Sequence, residues 1–323
     1  MPGKIVIAAS CIAALSMKGQ RFPGIGETVA SDVFLSEAGG KGTNQALAAA
    51  RLGSEVAIIG SVGEDSYGDS ILRTHREFGV NVQGVRRNAN SHTGVAFVMI
   101  NGDAKTMINI APGANFKLTA DDFENNATLV KGCDIIGFQL ETNADFVEYG
   151  IRRAASMGKR TLLDPSPALH LDQSVYALLD FIKPNEVEAA MLTGIEVVDR
   201  DSAFEAARWF LDRGVKNVIV TMGRQGVVVL NQTTREYLVP PEVEAQDTTA
   251  AGDIFCGAMM HCLAEGMGLV ESGHFATYAA AWSVQHLGAI NAMPARNDVM
   301  TFLASRNQAP AGGSQVPAPP RLK

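Results

Sequence analysis

An aspartate stands where a run of small residues leads into a helical pattern, in the segment Asp247-Thr-Thr-Ala-Ala-Gly-Asp253. Ala250, Ala251 and Gly252 have almost no side chain, so a ligand could approach the backbone closely. Because the first N–H groups of a helix lack intrahelical partners and carry the positive end of its dipole, they predict an anion site. Asp253 beside such a site is suited to taking a proton from a hydroxyl while amides hold developing phosphate charge. The same residues also fit a helix cap with tight packing.

Four other short motifs combine glycines with amide or carboxylate side chains. They are, in chain order, Gly39-Gly-Lys-Gly-Thr-Asn44, Gln139-Leu-Glu141, Lys183-Pro-Asn-Glu-Val-Glu188 and Thr221-Met-Gly-Arg-Gln-Gly226. Neither the Walker phosphate loop nor the Gly-x-Gly-x-x-Gly dinucleotide fingerprint is present in the sequence. A P-loop ATPase and a simple dehydrogenase are therefore disfavoured.

Strands and helices must position these motifs, and the two patterns alternate along most of the chain. The run from Lys4 to Ala9 is continuously apolar, as in a strand covered by helices on both faces. In the last third, helical spacing predicts helices at 252–265, 270–287 and 298–305. Such alternation predicts an α/β fold with a doubly wound parallel sheet and right-handed crossovers. Ligands of these folds bind beyond the carboxyl ends of the strands.

Two segments interrupt the alternation and predict a small β-sheet lid outside the main sheet. Residues 10–38 mix glycine, proline and alternating residues, and residues 85–115 contain two alternating runs joined at Asn101-Gly102, a strong hairpin signal. We therefore expect a single domain over residues 1–306 with the lid built from these insertions. Residues 307–323 are rich in proline, glycine and serine and are predicted to be disordered.

The composition favours a small-molecule ligand over a macromolecular one. The 323 residues are 46% hydrophobic, enough for a large core. The balance of 27 basic and 34 acidic residues gives a net charge of −7 without a dense basic run, which argues against nucleic acid. No apolar run approaches about 18 residues, which argues against a membrane partner. The first residues do not resemble a signal peptide, so we expect a cytoplasmic protein.

In this order, the five motifs closely resemble those of the ribokinase branch of the PfkB carbohydrate kinase family, from the first strand to about residue 290. The resemblance implies an ATP-dependent kinase that transfers the γ-phosphate to a primary hydroxyl of a sugar. It implies Asp253 as the catalytic base and the amides of Ala250, Ala251 and Gly252 as the anion hole around the transferring phosphate. It also implies a ribokinase-like fold whose lid pairs two subunits, and therefore a homodimer.

The same resemblance implies where the nucleotide and its metal bind. Asn185 and Glu188 match an Asn-x-x-Glu motif that organises Mg²⁺ and phosphate, with Glu188 acting through water. The pattern alone also fits a helix start with acids in its first turn. The ribose and phosphates of ATP are expected at Thr221, Gly223 and Gly226.

Sugar-binding residues are implied at the first two motifs along the chain. They are Gly40, Lys41, Gly42, Asn44 and Glu141. For Glu141 a solvated acid at a strand end is the alternative interpretation.

A monovalent cation, expected to be K⁺, is implied beside Asp247. The other ligands in this family are mostly backbone carbonyls, which would lie at Thr249, Ser283, His286 and Gly288. Side-chain identity at those four positions would then matter little.

The segment after the first strand departs from the family pattern. Family members usually have an asparagine and, two residues later, an aspartate that bind secondary hydroxyls of the sugar, whereas this chain has Ile12 and Ala14. A site that hydrogen-bonds a sugar hydroxyl can prefer that sugar over an analogue lacking the hydroxyl by on the order of 10⁴-fold, and losing the partners removes this preference. Plain ribose is therefore not the expected acceptor. Three explanations compete: an altered sugar or a nucleoside as acceptor, replacement of the lost groups by Ser10, Ser16 or Lys18, or a catalytically weak binding protein with a regulatory role. The intact aspartate motif favours an active kinase with an altered acceptor.

Overall fold

The computed structural model describes residues 2–103 and 105–307. The segment predicted to be disordered, 307–323, lies outside the described residues except for Asn307, which ends the last helix. Within those two ranges, no helix is long and apolar enough to cross a lipid bilayer.

Strands and helices alternate through most of the described chain. The strands are β1 Lys4–Ala8, β2 Ile12–Lys18, β3 Val33–Gly39, β4 Glu55–Gly63, β5 Asn81–Asn88, β6 Gly94–Ile100, β7 Thr106–Ala111, β8 Ile135–Gln139, β9 Arg160–Asp164, β10 Phe181–Ile182, β11 Asn217–Thr221, β12 Val227–Leu230 and β13 Arg235–Leu238. The α-helices are α1 Lys41–Arg51, α2 Ser66–Glu77, α3 Ala120–Glu124, α4 Ala127–Gly132, α5 Ala144–Ser156, α6 Gln173–Tyr176, α7 Glu186–Thr193, α8 Arg200–Leu211, α9 Ala251–Ala264, α10 Leu269–Ser283 and α11 Arg296–Asn307. Two 3₁₀ helices span Gly113–Lys117 and Gly223–Gln225.

The larger sheet has, within the described residues, nine strands in the order β13-β12-β11-β10-β9-β8-β1-β4-β5. Neighbouring strands from β11 to β5 run parallel, and β12 and β13 add an antiparallel edge. The central strand β1 alternates between two cores, with Ile5 and Ile7 packed on one face and Val6 and Ala8 on the other. A parallel sheet needs both faces covered in this way. The predicted α/β doubly wound fold is confirmed.

The smaller sheet has the order β3-β2-β6-β7 and contains the predicted hairpin, in which β6 and β7 are antiparallel. Its second insertion begins later than expected. We predicted residue 85, but β5 pairs with β4 in the larger sheet as far as Asn88, and the lid strand β6 starts at Gly94. The error has a physical reason, since the sheet that an edge strand joins depends on its partner strand, which Val85-Arg-Arg-Asn88 does not reveal.

Helix α10 ends at Ser283 and not at residue 287 as the helical spacing predicts. The carbonyl oxygen of Val284 accepts hydrogen bonds from the amides of Gln246 and Asp247, at 2.7 and 3.1 Å. Leu287 is 67% exposed, so no core contact favours another turn of helix there. The chain instead turns back toward the loop that precedes α9.

Candidate active site

The predicted motifs converge at one edge of the larger sheet. Strands β8, β9, β10 and β11 end there, and the segments that follow contain Glu141, Lys183 and Gly223. Helices α1 and α9 begin at the same edge. This convergence follows from topology, because the carboxyl ends of parallel strands meet at one side of the sheet.

Asp253 and Asn44 form the central contact of this site. Asp253 lies in the first turn of α9 and is 6% exposed, and Asn44 Nδ2 donates to its Oδ2 at 2.8 Å across 209 residues of sequence. Helices α9 and α1 approach closely because Gly257 has no side chain. A Cβ there would lie 2.7 Å from the carbonyl oxygen of Gln45. The small residues of α9 therefore set the aspartate against the first turn of α1.

The turn before α9 leaves backbone amides without a protein acceptor. Ala250 has a φ of 60°, a left-handed conformation that costs an alanine about 1 kcal/mol. The amides of Ala250, Gly252 and Asp253 have no hydrogen-bond acceptor in the described part of the chain, whereas the Ala251 amide donates to the carbonyl oxygen of Thr248 at 3.2 Å. Left-handed and helical residues in succession form a concave group of amides suited to an anion. These three amides are available to bind an anion. The Ala251 amide, which was expected in the anion hole, is instead bonded to Thr248.

The carboxyl group of Asp253 is a weaker acid than an ordinary aspartate. Burial raises the pKa of Asp253 to about 6; the Lys41 ammonium opposes this shift, and the charge of Asp164 adds to it. Burial alone would lower the pKa of Lys41, but Asp253, Asp164 and Glu141 together raise it, so Lys41 stays charged. A base with a pKa near neutral is an efficient proton acceptor.

Ser10 and Glu141 hold the loop that begins α1. Glu141 Oε2 accepts from Ser10 Oγ at 2.7 Å and from the Lys41 amide at 2.8 Å, and Ser10 Oγ accepts from the Gly42 amide at 3.1 Å. Gly42 admits no side chain, because a Cβ there would lie 2.4 Å from Ala9 Cα. Glu141 therefore anchors the loop instead of standing solvated at a strand end.

Asn44 has one polar atom that the protein leaves unpaired. Its Oδ1 is buried and has no donor among the residues described. Such an oxygen costs about 1–3 kcal/mol, so the hydroxyl of a bound ligand is the expected partner. A Cβ on Gly40 would lie 3.0 Å from Ser10 Oγ and 3.2 Å from the Cβ of Ile12, so Gly40 packs against one polar and one apolar side chain, and Ile12 itself is 1% exposed.

The three residues proposed to replace the lost polar groups differ in burial and in hydrogen bonding. Ser10 is already bonded to Glu141, while Ser16 is half-buried and Lys18 is exposed further along β2. The polar side chain directly across from Ala14 is Glu37 on β3, and paired residues of neighbouring strands share a face. Glu37 is not predictable as a site residue from the sequence, because the pairing register of two strands is not readable from either one alone.

Asn185 and Glu188 form a capping box at the start of α7. Asn185 Oδ1 accepts from the Glu188 amide and Glu188 Oε2 accepts from the Asn185 amide, both at 2.8 Å. Glu188 is 7% exposed, and no protein donor in the described ranges occupies its Oε1. No group of three or more His, Cys, Asp or Glu side chains suited to a metal occurs in those ranges. One carboxylate with water and phosphate oxygens fits Mg²⁺, which seldom has an all-protein cage.

The two glycines expected at the nucleotide have different environments. Thr221, the last residue of β11 before their loop, pairs with Asn185 in a parallel bridge. A Cβ on Gly223 would meet nothing within 4 Å, which leaves its backbone open to a ligand. A Cβ on Gly226 would lie 2.6 Å from the carbonyl oxygen of Leu238, so packing against β13 is sufficient to require glycine there.

Asp247 joins the loop before α9 to the loop after α10. Its Oδ1 accepts from the Thr249 amide at 2.9 Å and its Oδ2 from the Gly288 amide at 3.0 Å. Burial favours the neutral acid, but these hydrogen bonds outweigh it and lower the pKa of Asp247. Ser283 Oγ lies 2.8 Å from the carbonyl oxygen of Ala280, and His286 Nδ1 lies 3.0 Å from that of Trp282. Those two residues could therefore offer an ion their backbone oxygens and not their side chains.

A chain of buried polar side chains, not predicted from the sequence, lies behind the site. Gln139 Nε2 donates to Gln45 Oε1 at 2.7 Å, and Gln45 Nε2 donates to Asp164 Oδ2 at 2.8 Å. Asp164 Oδ1 lies 3.2 Å from Lys183 Nζ. All four residues are at most 4% exposed. The position of Asp164 at the end of an apolar strand was an available signal, but its partners come from three other segments.

Known proteins are similar to this chain in sequence and in fold. A family model described as pfkB family carbohydrate kinase matches residues 3–296. A ribokinase of Haemophilus influenzae is 36% identical over 278 residues, which cover 86% of this chain and 91% of the relative. A deoxyribokinase of Salmonella typhi is 33% identical over 301 residues, covering 93% and 98%. An Arabidopsis thaliana ribokinase complexed with ribose and ATP superposes with a TM-score of 0.86 at 30% identity, covering 94% of this chain and 99% of that one.

Together the parallel sheet, the small second sheet and these relatives define a carbohydrate kinase, a phosphotransferase with an alcohol group as acceptor. The chain belongs to the PfkB carbohydrate kinase family. Within that family it falls in the ribokinase branch, as the order of its motifs predicted.

Proposed function

We propose that this kinase transfers the γ-phosphate of ATP to a primary hydroxyl of a sugar or sugar derivative other than plain ribose. The observation that supports the proposal most directly is the buried contact between Asp253 and Asn44 beside the amides that begin α9. Asp253 accepts the proton of the acceptor hydroxyl, and the amides of Ala250 and Gly252 stabilise charge on the transferring phosphoryl group. Asn44 Oδ1 accepts a hydrogen bond from the sugar.

ATP is proposed to bind along the loops that follow β10 and β11, where Gly223 leaves the backbone open. Asn185 and Glu188 would hold Mg²⁺ there through water, and the ion supplies charge neutralisation of the phosphates. A K⁺ ion is proposed beside the ionised Asp247.

The acceptor is proposed to be a deoxy or otherwise modified sugar. Ile12 and Ala14 offer no hydrogen bond where the family pattern has an amide and a carboxylate. A pocket of this kind does not discriminate against an acceptor that lacks the corresponding hydroxyl. The deoxyribokinase relative from Salmonella typhi, 33% identical, is consistent with such a substrate.

A panel of acceptors tests this function directly. ADP production is measured with ribose, deoxyribose, other deoxy sugars, ketohexoses and nucleosides, each with Mg²⁺ and K⁺. We expect a deoxy or modified sugar to exceed ribose in kcat/KM by about tenfold or more. A nucleoside as the best acceptor would indicate a nucleoside kinase of the same fold. Binding of several acceptors without turnover of any would indicate a regulatory binding protein.

The cation proposal is tested within the same panel. Turnover with K⁺ is compared with turnover in tetramethylammonium at equal ionic strength. Equal rates in the two salts would remove the monovalent cation from the proposal without affecting the assignment of Asp253.

The pH profile is expected to follow the ionisation of Asp253. Its pKa of about 6 predicts that kcat/KM rises about tenfold per pH unit below pH 6 and levels off above it, because the ionised form alone accepts a proton. Lys41→Met removes a charge that lowers this pKa and should move the midpoint upward. Steady-state rates from about pH 4.5 to 8 measure both, and a flat profile through pH 6 contradicts the role of Asp253 as base.

Both faces of the smaller sheet expose apolar side chains. One face presents Phe34, Phe97 and Met107, and the opposite face presents Ile108 and Ile110, each at least 40% exposed. Contiguous apolar surface of this kind is typical of a protein–protein contact. We propose that two lids pair in a homodimer.

Phe34→Asp/Ile108→Asp is expected to convert a dimer into a monomer, because it places a charge on each apolar face. Light scattering after gel filtration distinguishes the 34.2 kDa chain from a particle of twice that mass. Met191→Asp is the control, since Met191 is 61% exposed on α7, away from the small sheet. A monomeric unmodified protein, or a dimer unchanged by the double substitution, rejects the lid contact.

A further inference from the structure

Lys183 places a buried ammonium group inside the site. The residue directly follows β10 at the carboxyl end of the sheet and is 4% exposed. Its Nζ lies 3.2 Å from Asp164 Oδ1 on one side. On the other side it lies 3.6 Å from the position that a Cβ on Gly252 would occupy. The ammonium therefore lies between a scaffold carboxylate and the turn whose amides face the transferring phosphate.

Asp164 holds this ammonium without using all of its protons. Asp164 Oδ2 is fixed by Gln45 Nε2, which is itself fixed by Gln139. Asp164 Oδ1 is within ion-pair distance of Lys183 Nζ, but the two groups are not aligned for a hydrogen bond. An ammonium has three donors, and no hydrogen bond from Nζ to a protein acceptor occurs in the described ranges. Protons of Lys183 thus remain available for another acceptor.

Burying an ammonium group destabilises the folded protein unless another charged group compensates for the lost hydration. Asp164 lies 3.2 Å from this ammonium, and the carboxylates of Glu188 and Asp253 also act on its charge. A well-packed apolar pair is often as stable as a buried ion pair, so stability alone gives little reason for one here. The positive charge lies where the transferring group brings negative charge.

We propose that Lys183 is a catalytic residue whose ammonium contacts oxygens of the γ-phosphoryl group, with Asp164 and Gln45 as the residues that position it. This inference rests on the proposed function. In the step, the acceptor oxygen forms a bond to the γ-phosphorus and gives its proton to Asp253, while the bond to the β–γ bridging oxygen breaks and ADP leaves with that electron pair. Lys183 neither gains nor loses a proton, and its ammonium neutralises negative charge on the oxygens of the transferring phosphoryl group.

Two variants separate a catalytic lysine from a structural one. Lys183→Met leaves Asp164 buried and unpaired, so its Tm is expected to fall. Lys183→Met/Asp164→Asn removes both charges, so its Tm should return toward that of the unmodified protein. A catalytic Lys183 predicts a kcat at least about 10²-fold lower in both variants. A structural Lys183 predicts that kcat recovers together with Tm, and that result overturns the proposal.

Nucleotide binding supplies a readout that needs no acceptor. Calorimetry compares ADP with a non-hydrolysable ATP analogue, each with Mg²⁺, in the unmodified protein and in the double variant. Loss of a charged contact to the γ-phosphate should raise the Kd of the ATP analogue about tenfold and the Kd of ADP less than about twofold. Equal weakening of the two ligands overturns the proposal. If no acceptor in the panel is phosphorylated, the proposed function fails while this comparison still decides the role of Lys183.

Lys216→Met is the matched control for loss of a paired lysine. Lys216 Nζ lies 2.8 Å from Asp180, but its side chain is 65% exposed and it precedes β11 at the amino end of the sheet. We expect unchanged kcat and unchanged selectivity between ADP and the analogue.

Discussion

Asp253→Asn is expected to lower kcat by about 10³-fold, within the range for removal of a general base, while ATP binding stays within about twofold. The amide oxygen of asparagine still accepts the hydrogen bond that Asn44 donates at 2.8 Å, so the local geometry is kept. An amide does not accept a proton at neutral pH, and that property is what the substitution removes. ADP production with the best acceptor measures kcat, and calorimetry measures ATP binding.

The stability of the same variant excludes misfolding as the cause. Burial raises the pKa of Asp253 from 3.8 to about 6 in the folded protein, so ionising this group opposes folding. The protonated form of Asp253 therefore adds to the free energy of unfolding. This contribution is complete below pH 3.8, is lost between pH 3.8 and about 6, and is absent at higher pH. Above pH 6, Asp253→Asn should therefore hold or raise the Tm. Asp201→Asn is a control, because Asp201 lies in the first turn of α8 with its side chain 74% exposed. Turnover by Asp253→Asn within tenfold of the unmodified protein would refute the assignment.

Ala14→Asp/Glu37→Gln is expected to raise kcat/KM for ribose by about tenfold or more. A hydrogen bond from a sugar hydroxyl to a carboxylate contributes about 1.5–3 kcal/mol, which corresponds to roughly 10- to 100-fold. Glu37 is changed as well, because it lies directly opposite Ala14 and two carboxylates there would repel each other. The pKa of Glu37 is already raised, first by burial and then by Asp247. The ratio of kcat/KM for ribose to that for the best acceptor measures the change.

Two single controls show whether position 14 is specific. Glu37→Gln alone should give no gain with ribose, since it adds no acceptor for a secondary hydroxyl. Ser16→Asp places a carboxylate on the same face of β2, opposite Leu35, and should also give no gain. If the double variant gains nothing while these controls behave as expected, the alignment of Ala14 with the sugar-binding aspartate of the family is wrong.

Patterns within single elements were enough to predict the fold class and the order of the motifs. The apolar run of β1 predicted a strand covered on both faces, and Asn101-Gly102 predicted the β6–β7 hairpin. These features are local, because side-chain periodicity and turn chemistry depend on residues a few positions apart. The error at 85–88 arose because pairing with β4, and no pattern within those four residues, decides which sheet they join.

The state of each polar atom in the site was set by packing between distant segments. Asp253 and Asn44 are 209 residues apart, and Gly257 lets their helices approach. The Ala251 amide is bonded to the carbonyl oxygen of Thr248 and is not free to bind an anion. That state depends on the backbone conformation of the turn, which the sequence does not reveal. The pairing of Lys183 with Asp164 joins the ends of two neighbouring strands. Hydrogen bonds and ion pairs act over about 3 Å, and separation along the chain does not encode distances on that scale.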